Sequence, residues 1–144
     1  DVETLDRPEW HEKFDYIILG DVIEHLREPQ RAMKNLALLL KPGGCVLVST
    51  PNVMHFSVFR MMLAGRWKYE EAGILDRTHL RFFTRTELLA LLEAAGLEPQ
   101  KVFESREETE RDQAFIAQLA ALLAPGVDSE ELHAYQWKVV AKKR

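Results

Sequence analysis

Three residues able to bind ions or move protons fall close together in Gly20-Asp21-Val22-Ile23-Glu24-His25-Leu26. Asp21, Glu24 and His25 are hard and borderline ligands placed just after a short apolar run, where a strand would end. As a metal set, Asp-x-x-Glu-His provides three ligands only if the chain folds back on itself, and no clear fourth follows. No metal ligand is therefore assigned. A second candidate is His79, set in a polar break and flanked by Arg77 and Arg81. An imidazole titrates near neutrality and could take a proton from a substrate hydroxyl. His79 is thus the first candidate for a catalytic base, with His25 as its rival. Cys45, the single cysteine, lies in Cys-Val-Leu-Val and reads as a buried thiol in a reducing cytoplasm, without a disulfide partner.

The elements that must position these residues follow from pattern. Phe14 to Leu19 is a β-prone run whose near-continuous apolarity suits a strand buried on both faces of a parallel sheet. Asp15 is expected to bond backbone amides at its entry. Gly20-Asp21 then stands at the strand's carboxyl end, where open α/β sheets place ligands, so Leu19, Gly20 and Asp21 are the cofactor-facing candidates. Pro29 to Leu40 has helical spacing, and Lys41-Pro42-Gly43-Gly44 ends it. Cys45 to Thr50 is a second strand, broken by Pro51-Asn52, which completes a βαβ unit. From Val53 to Ile74 the residues are apolar on almost every side of any helix and need more than one neighbour. Thr84 and Glu87 form a capping box for a helix that runs to Gly96. Lys101 to Glu104 is a short strand, about Thr109 to Leu123 a charged helix, and Tyr135 to Ala141 a last strand.

Composition narrows the classes. At 144 residues, 47% hydrophobic and 29% charged, the chain is one α/β domain. A net charge of -4 excludes nucleic acid as the main partner, since binding phosphates needs a dense basic face. No apolar run approaches the roughly 20 residues of a membrane helix, so no membrane span is expected. The chain opens without methionine on a polar stretch and reads as a piece cut from a longer protein.

Five pieces in register carry a resemblance: Phe14 to Leu26, Leu40-Lys41-Pro42-Gly43-Gly44, Ser49-Thr50-Pro51-Asn52, Asp76 to Thr84, and Ala94-Ala95-Gly96-Leu97. Together they resemble the second half of Rossmann-like, S-adenosylmethionine-dependent methyltransferases related to the ubiquinone-biosynthesis O-methyltransferases. The resemblance implies a doubly wound α/β sheet of seven strands, the last inserted antiparallel between the fifth and sixth. Residues 1–144 would supply strands four to seven of a single domain, with a variable, lid-like insert at 53–75. The first three strands, with the glycine-rich turn and the acidic residue that holds the ribose, would be missing. Asp1-Val2 resemble the acidic and apolar pair that flanks the adenine.

The implied function is transfer of a methyl group from S-adenosylmethionine to a hydroxyl or amine of a small-molecule or glycan-like acceptor. Asp76 to Thr84 is also similar to methyltransferase domains of bacterial cell-surface glycan pathways. Residues like Asp21, Glu24 and His25 have been associated with a divalent metal in the ubiquinone relatives. Alignment of donor and acceptor can supply most of the rate, so a base is required only for a poorly ionised acceptor. Cut in this way, the chain is expected to be inactive and to self-associate through the open strand edge at 14–19. The alternative is a non-catalytic interaction module that keeps the fold.

Overall fold

The computed structural model describes residues 2–5 and 7–144; Asp1, a cofactor candidate, lies outside the described residues. Four strands form one sheet: β1 (Phe14–Gly20), β2 (Leu40–Pro51), β3 (Leu97–Arg106) and β4 (Ala134–Lys143). Their order is β1-β2-β4-β3. β1 and β2 run parallel, joined by helix α1 (Pro29–Leu39), while β4 is antiparallel to both β2 and β3. This is the arrangement expected of strands four to seven, with the last strand between its two predecessors.

One face of the sheet carries the core. α1 buries Ala32, Met33, Leu36, Ala37 and Leu39 along one stripe, and α3 (Arg85–Ala94) buries Leu88, Leu91 and Leu92. They cover Leu19, Val46, Val48, Trp137 and Val139 from the strands. Each large side chain buried in this way contributes roughly 1.5–3 kcal/mol. α3 starts at Thr84, whose hydroxyl accepts from the Glu87 amide at 3.2 Å. The fully reciprocal capping box occurs instead at Thr109 and Asp112, ahead of α4 (Gln113–Ala120). Helix α2 (Phe56–Leu63) divides its apolar residues between two small clusters, Phe56 with Ile116, Leu119 and Leu132, and Val58 with Ile74 and Leu75. That division explains why the segment is apolar all round. No helix among the described residues is long and apolar enough to cross a membrane.

Three expectations are corrected. β1 is buried on one face only: Tyr16 is 68% and Ile18 73% exposed, because α1 and α3 both lie on the other side. With Phe103, Leu47 and Val140, Ile18 lines an open apolar trough of about 240 Å³. The Asp15 carboxylate accepts from Lys41 Nζ at 2.7 Å and, among the described residues, from no backbone amide. Cys45 is half-buried rather than enclosed.

Lys41-Pro42-Gly43-Gly44 does more than end a helix. It is the opening of β2, where Phe14 pairs with Leu40 and Tyr16 already with Cys45, so the loop bulges from the ladder. A Cβ on Gly44 would meet the carbonyl oxygens of Lys41, Asp15 and Phe14 at 3.0, 3.1 and 3.2 Å. All three are main-chain atoms held in the sheet. Gly44→Ala should therefore destabilise the fold by about 1–3 kcal/mol. Gly20→Ala, whose nearest neighbour would be Ser49 Oγ at 3.9 Å, should leave the urea midpoint nearly unchanged. Urea unfolding of both variants measures the contrast.

Candidate active site

Beyond Gly20 the chain turns sharply. Asp21 takes φ of 52°, a left-handed conformation that costs a non-glycine residue roughly 1 kcal/mol or more. Its amide donates to the Ser49 carbonyl and hydroxyl, both at 3.2 Å. Its Oδ1 accepts from Ser49 Oγ at 3.0 Å and from Gln136 Nε2 at 2.6 Å. One residue is thereby tied to the ends of both β2 and β4.

The next turn, Ile23–His25, buries Glu24, which is 1% exposed. Burial raises its pKa above the ordinary value of 4.5, partly opposed by hydrogen bonds to its carboxylate, including one from Thr50 Oγ1 to Oε2 at 3.1 Å. Its Oε1 is buried and has no hydrogen-bond partner among the described residues. The Glu24 carbonyl accepts from the amides of Leu80 and Arg81, at 2.8 and 3.0 Å, which brings the polar break of residues 76–81 onto this turn.

That contact joins the two candidate bases. The rings of His25 and His79 stand edge-on, centroids 4.8 Å apart. His25 Nδ1–H donates to the Thr78 carbonyl at 3.2 Å, and His79 Nδ1–H to the Ile74 carbonyl at 3.0 Å. A carbonyl can only accept, so each Nδ1 carries a proton, and a lone pair, when the ring has one, stands on Nε2. One ligand atom each from Glu24, His25 and His79 lies within 4.8 Å of the others. The trio that could contact a cation therefore contains His79 where the sequence suggested Asp21.

The remaining cofactor candidates sit nearby. The Leu19 side chain is in the core, leaving only its backbone to face a ligand, and Val2 packs against the same core. The position of residues 2–5 is fixed by Glu3, whose Oε1 accepts from the amides of Arg27 and Glu28, at 2.6 and 2.9 Å, ahead of α1. Sequence reasoning missed Ser49, Thr50 and Gln136 as supports. The first two stand in a motif already singled out; Gln136 alternates with apolar residues in a strand and gives no signal of its own.

Behind the site, Asn52 is wholly buried at the end of β2. Its Nδ2 donates to the carbonyls of Glu131 and Ala134, both at 2.7 Å. His55 follows at 2% exposure, with Nδ1 2.8 Å from Ser57 Oγ and Nε2 without a partner among the described residues. Burial holds its pKa down to about 4 from 6.5, outweighing Glu108 and Asp112, which pull it up.

The chain matches the family model of a methyltransferase domain over residues 3–102. It is 40% identical over 90 residues to a ubiquinone biosynthesis O-methyltransferase of Dinoroseobacter shibae, an alignment covering 61% of this chain and 36% of that protein. The chain spans between 36% and 41% of the length of the first curated relatives it matches. Among solved structures, an S-adenosylmethionine-dependent methyltransferase from Thermotoga maritima superposes with a TM-score of 0.67 at 21% identity, covering 99% of this chain and 61% of that one. A 1,6-didemethyltoxoflavin-N1-methyltransferase from Burkholderia thailandensis, solved with its acceptor and S-adenosylhomocysteine, gives 0.56 at 17% identity, covering 99% and 48%.

His55 generates a pH prediction. Above pH 6.5 it is neutral folded or unfolded and adds no pH dependence. As pH falls from 6.5 toward about 4, the unfolded chain binds a proton that the folded one refuses, so stability drops. Protonating this site should cost up to ~3 kcal/mol across that window. His55→Gln should lack this component, seen as a smaller difference between urea midpoints at pH 7 and pH 4.5.

Proposed function

Because this chain belongs to the methyltransferase domain family, we propose that it is the acceptor-side half of an enzyme that methylates a hydroxyl or amine of a small-molecule or sugar-like compound. The observation that carries this reading is the histidine pair. Two imidazoles, each with Nδ1 tied to a backbone carbonyl, leave basic Nε2 atoms beside a buried carboxyl group near the carboxyl end of β1.

S-adenosylmethionine, the cofactor, supplies a methyl group on a cationic sulfur. The residues present fit one side of it. Gly20 has no Cβ and nothing within 3.9 Å of where one would stand, so a ligand can approach the strand end closely. Leu19 through its backbone, Gly20, Asp21 and Val2 would hold it. The glycine-rich turn that would grip the other side is absent from residues 1–144. His79 takes the proton of an acceptor hydroxyl on Nε2, while Ile74 fixes its tautomer and His25 limits its rotation. The insert at 53–75, rich in Met and aromatic residues, covers the acceptor. The reaction belongs to the cytoplasm, and the chain alone is inactive.

Calorimetric titration of S-adenosylhomocysteine tests this directly. Binding is expected to the protein extended upstream and not to residues 1–144 alone; binding to neither would replace the enzyme with an interaction module. In the extended protein, His79→Gln should slow methyl transfer at least 100-fold with cofactor binding retained, the usual scale for loss of a general base. A larger effect of His25→Gln would move the base to His25.

The open edge of β1 and the exposed Tyr16, Ile18 and Phe103 should make residues 1–144 self-associate. Light scattering should show dimers or larger species, and Ile18→Lys should reduce them. A monomer at high concentration would refute this.

A further inference from the structure

Most carboxylates with side-chain partners on this surface face a cation. Asp15 faces Lys41, Asp112 Arg60, Asp128 Arg85, and Glu130 Arg106. Asp21 does not. Its two donors, the Ser49 hydroxyl and the Gln136 amide, are neutral, and both bond Oδ1. Among the described residues no cationic side chain pairs with it, and the residue is exposed at the carboxyl end of β1. Neutral donors orient a carboxylate without cancelling its charge. The backbone that carries it is held at φ of 52°, an unfavourable conformation for Asp that the Ser49 bonds to its amide sustain.

We propose that Gln136 is a positioning residue: with Ser49 it saturates Oδ1 of Asp21 and leaves Oδ2 as an uncompensated negative edge complementary to the cofactor's cationic sulfonium. The inference rests on the methyltransferase reading and adds to it how the charged cofactor is told from its neutral product. S-adenosylmethionine and S-adenosylhomocysteine differ by the methyl and by the positive charge on sulfur. A fixed carboxylate therefore favours the first over the second, which promotes product release. Gln136 comes from the last strand, opposite Pro51 of β2, so this selectivity depends on β4 being in place.

The test is calorimetric binding of both ligands to the whole protein, extended upstream through the missing strands. Asp21→Asn and Gln136→Met, which keeps the glutamine's volume, should each weaken S-adenosylmethionine about tenfold, with less than about threefold effect on S-adenosylhomocysteine. Asp21→Asn/Gln136→Met should be no worse than Asp21→Asn alone, since Gln136 acts through Asp21. Equal losses for both ligands would make Gln136 a merely structural support and overturn the proposal, as would additive losses in the double variant. Should the unsubstituted protein bind neither ligand, the methyltransferase reading falls with it. Binding of both without selective loss in the variants overturns this inference alone.

Discussion

A strand buried in the middle of a sheet must have its amides and carbonyls paired on both sides, because no water reaches them there. β2 meets that constraint with β1 on one side, in parallel, and with β4 on the other, in the opposite direction. β4 also pairs with β3 through Leu97 to Arg106. Within the sheet, the connection between the βαβ half of the chain and its carboxyl-terminal half therefore runs through one strand. Ala134, Trp137, Val139 and Ala141 fill the core face of that strand, and Gln136 reaches the site.

The polar groups at the far end of β2 are organised by the same strand. Asn52 donates to carbonyls of Glu131 and Ala134, accepts from the Met54 amide with its side chain, and has its own amide bonded to the Tyr135 carbonyl. A buried carboxamide with each of these groups satisfied fixes the exit direction of the chain in a way an apolar residue could not. From that fixed point the chain enters α2 and returns through residues 70–79, whose Ile74 carbonyl holds His79. The orientation of a candidate base is thus set by a relay of main-chain contacts.

Much of this was legible in the sequence because local signals and burial agreed. Phe14 to Leu19, Pro29 to Leu40 and the helix after Thr84 all formed within a residue or two of expectation. His25 and His79 were named separately, and the fold brings them into ring contact. What stayed hidden depended on partners distant in sequence. Gln136 is polar within an apolar alternation, as any strand residue facing away from the core can be, and only its 115-residue separation from Asp21 gives it meaning. β3 proved longer than Lys101 to Glu104 because β4 extends it with a ladder that charged residues such as Glu98 do not advertise. One-sided burial of β1 was equally unreadable, since apolar residues on an open face look the same as buried ones.

The position of β4 in the sheet also fixes an order of events during synthesis. A ribosome releases β3 well before β4, and among the described residues β3 pairs with β4 alone, so its ladder waits for β4 to arrive. For that interval the nascent chain can form the β1-α1-β2 unit, but Asn52 lacks its carbonyl partners and Asp21 lacks Gln136. The site is therefore completed only when β4 is translated, and a message truncated before the codons for Ala134–Lys143 would yield a chain that keeps Asp21, Glu24, His25 and His79 but lacks the Gln136 amide on Asp21 and the Ala134 carbonyl on Asn52.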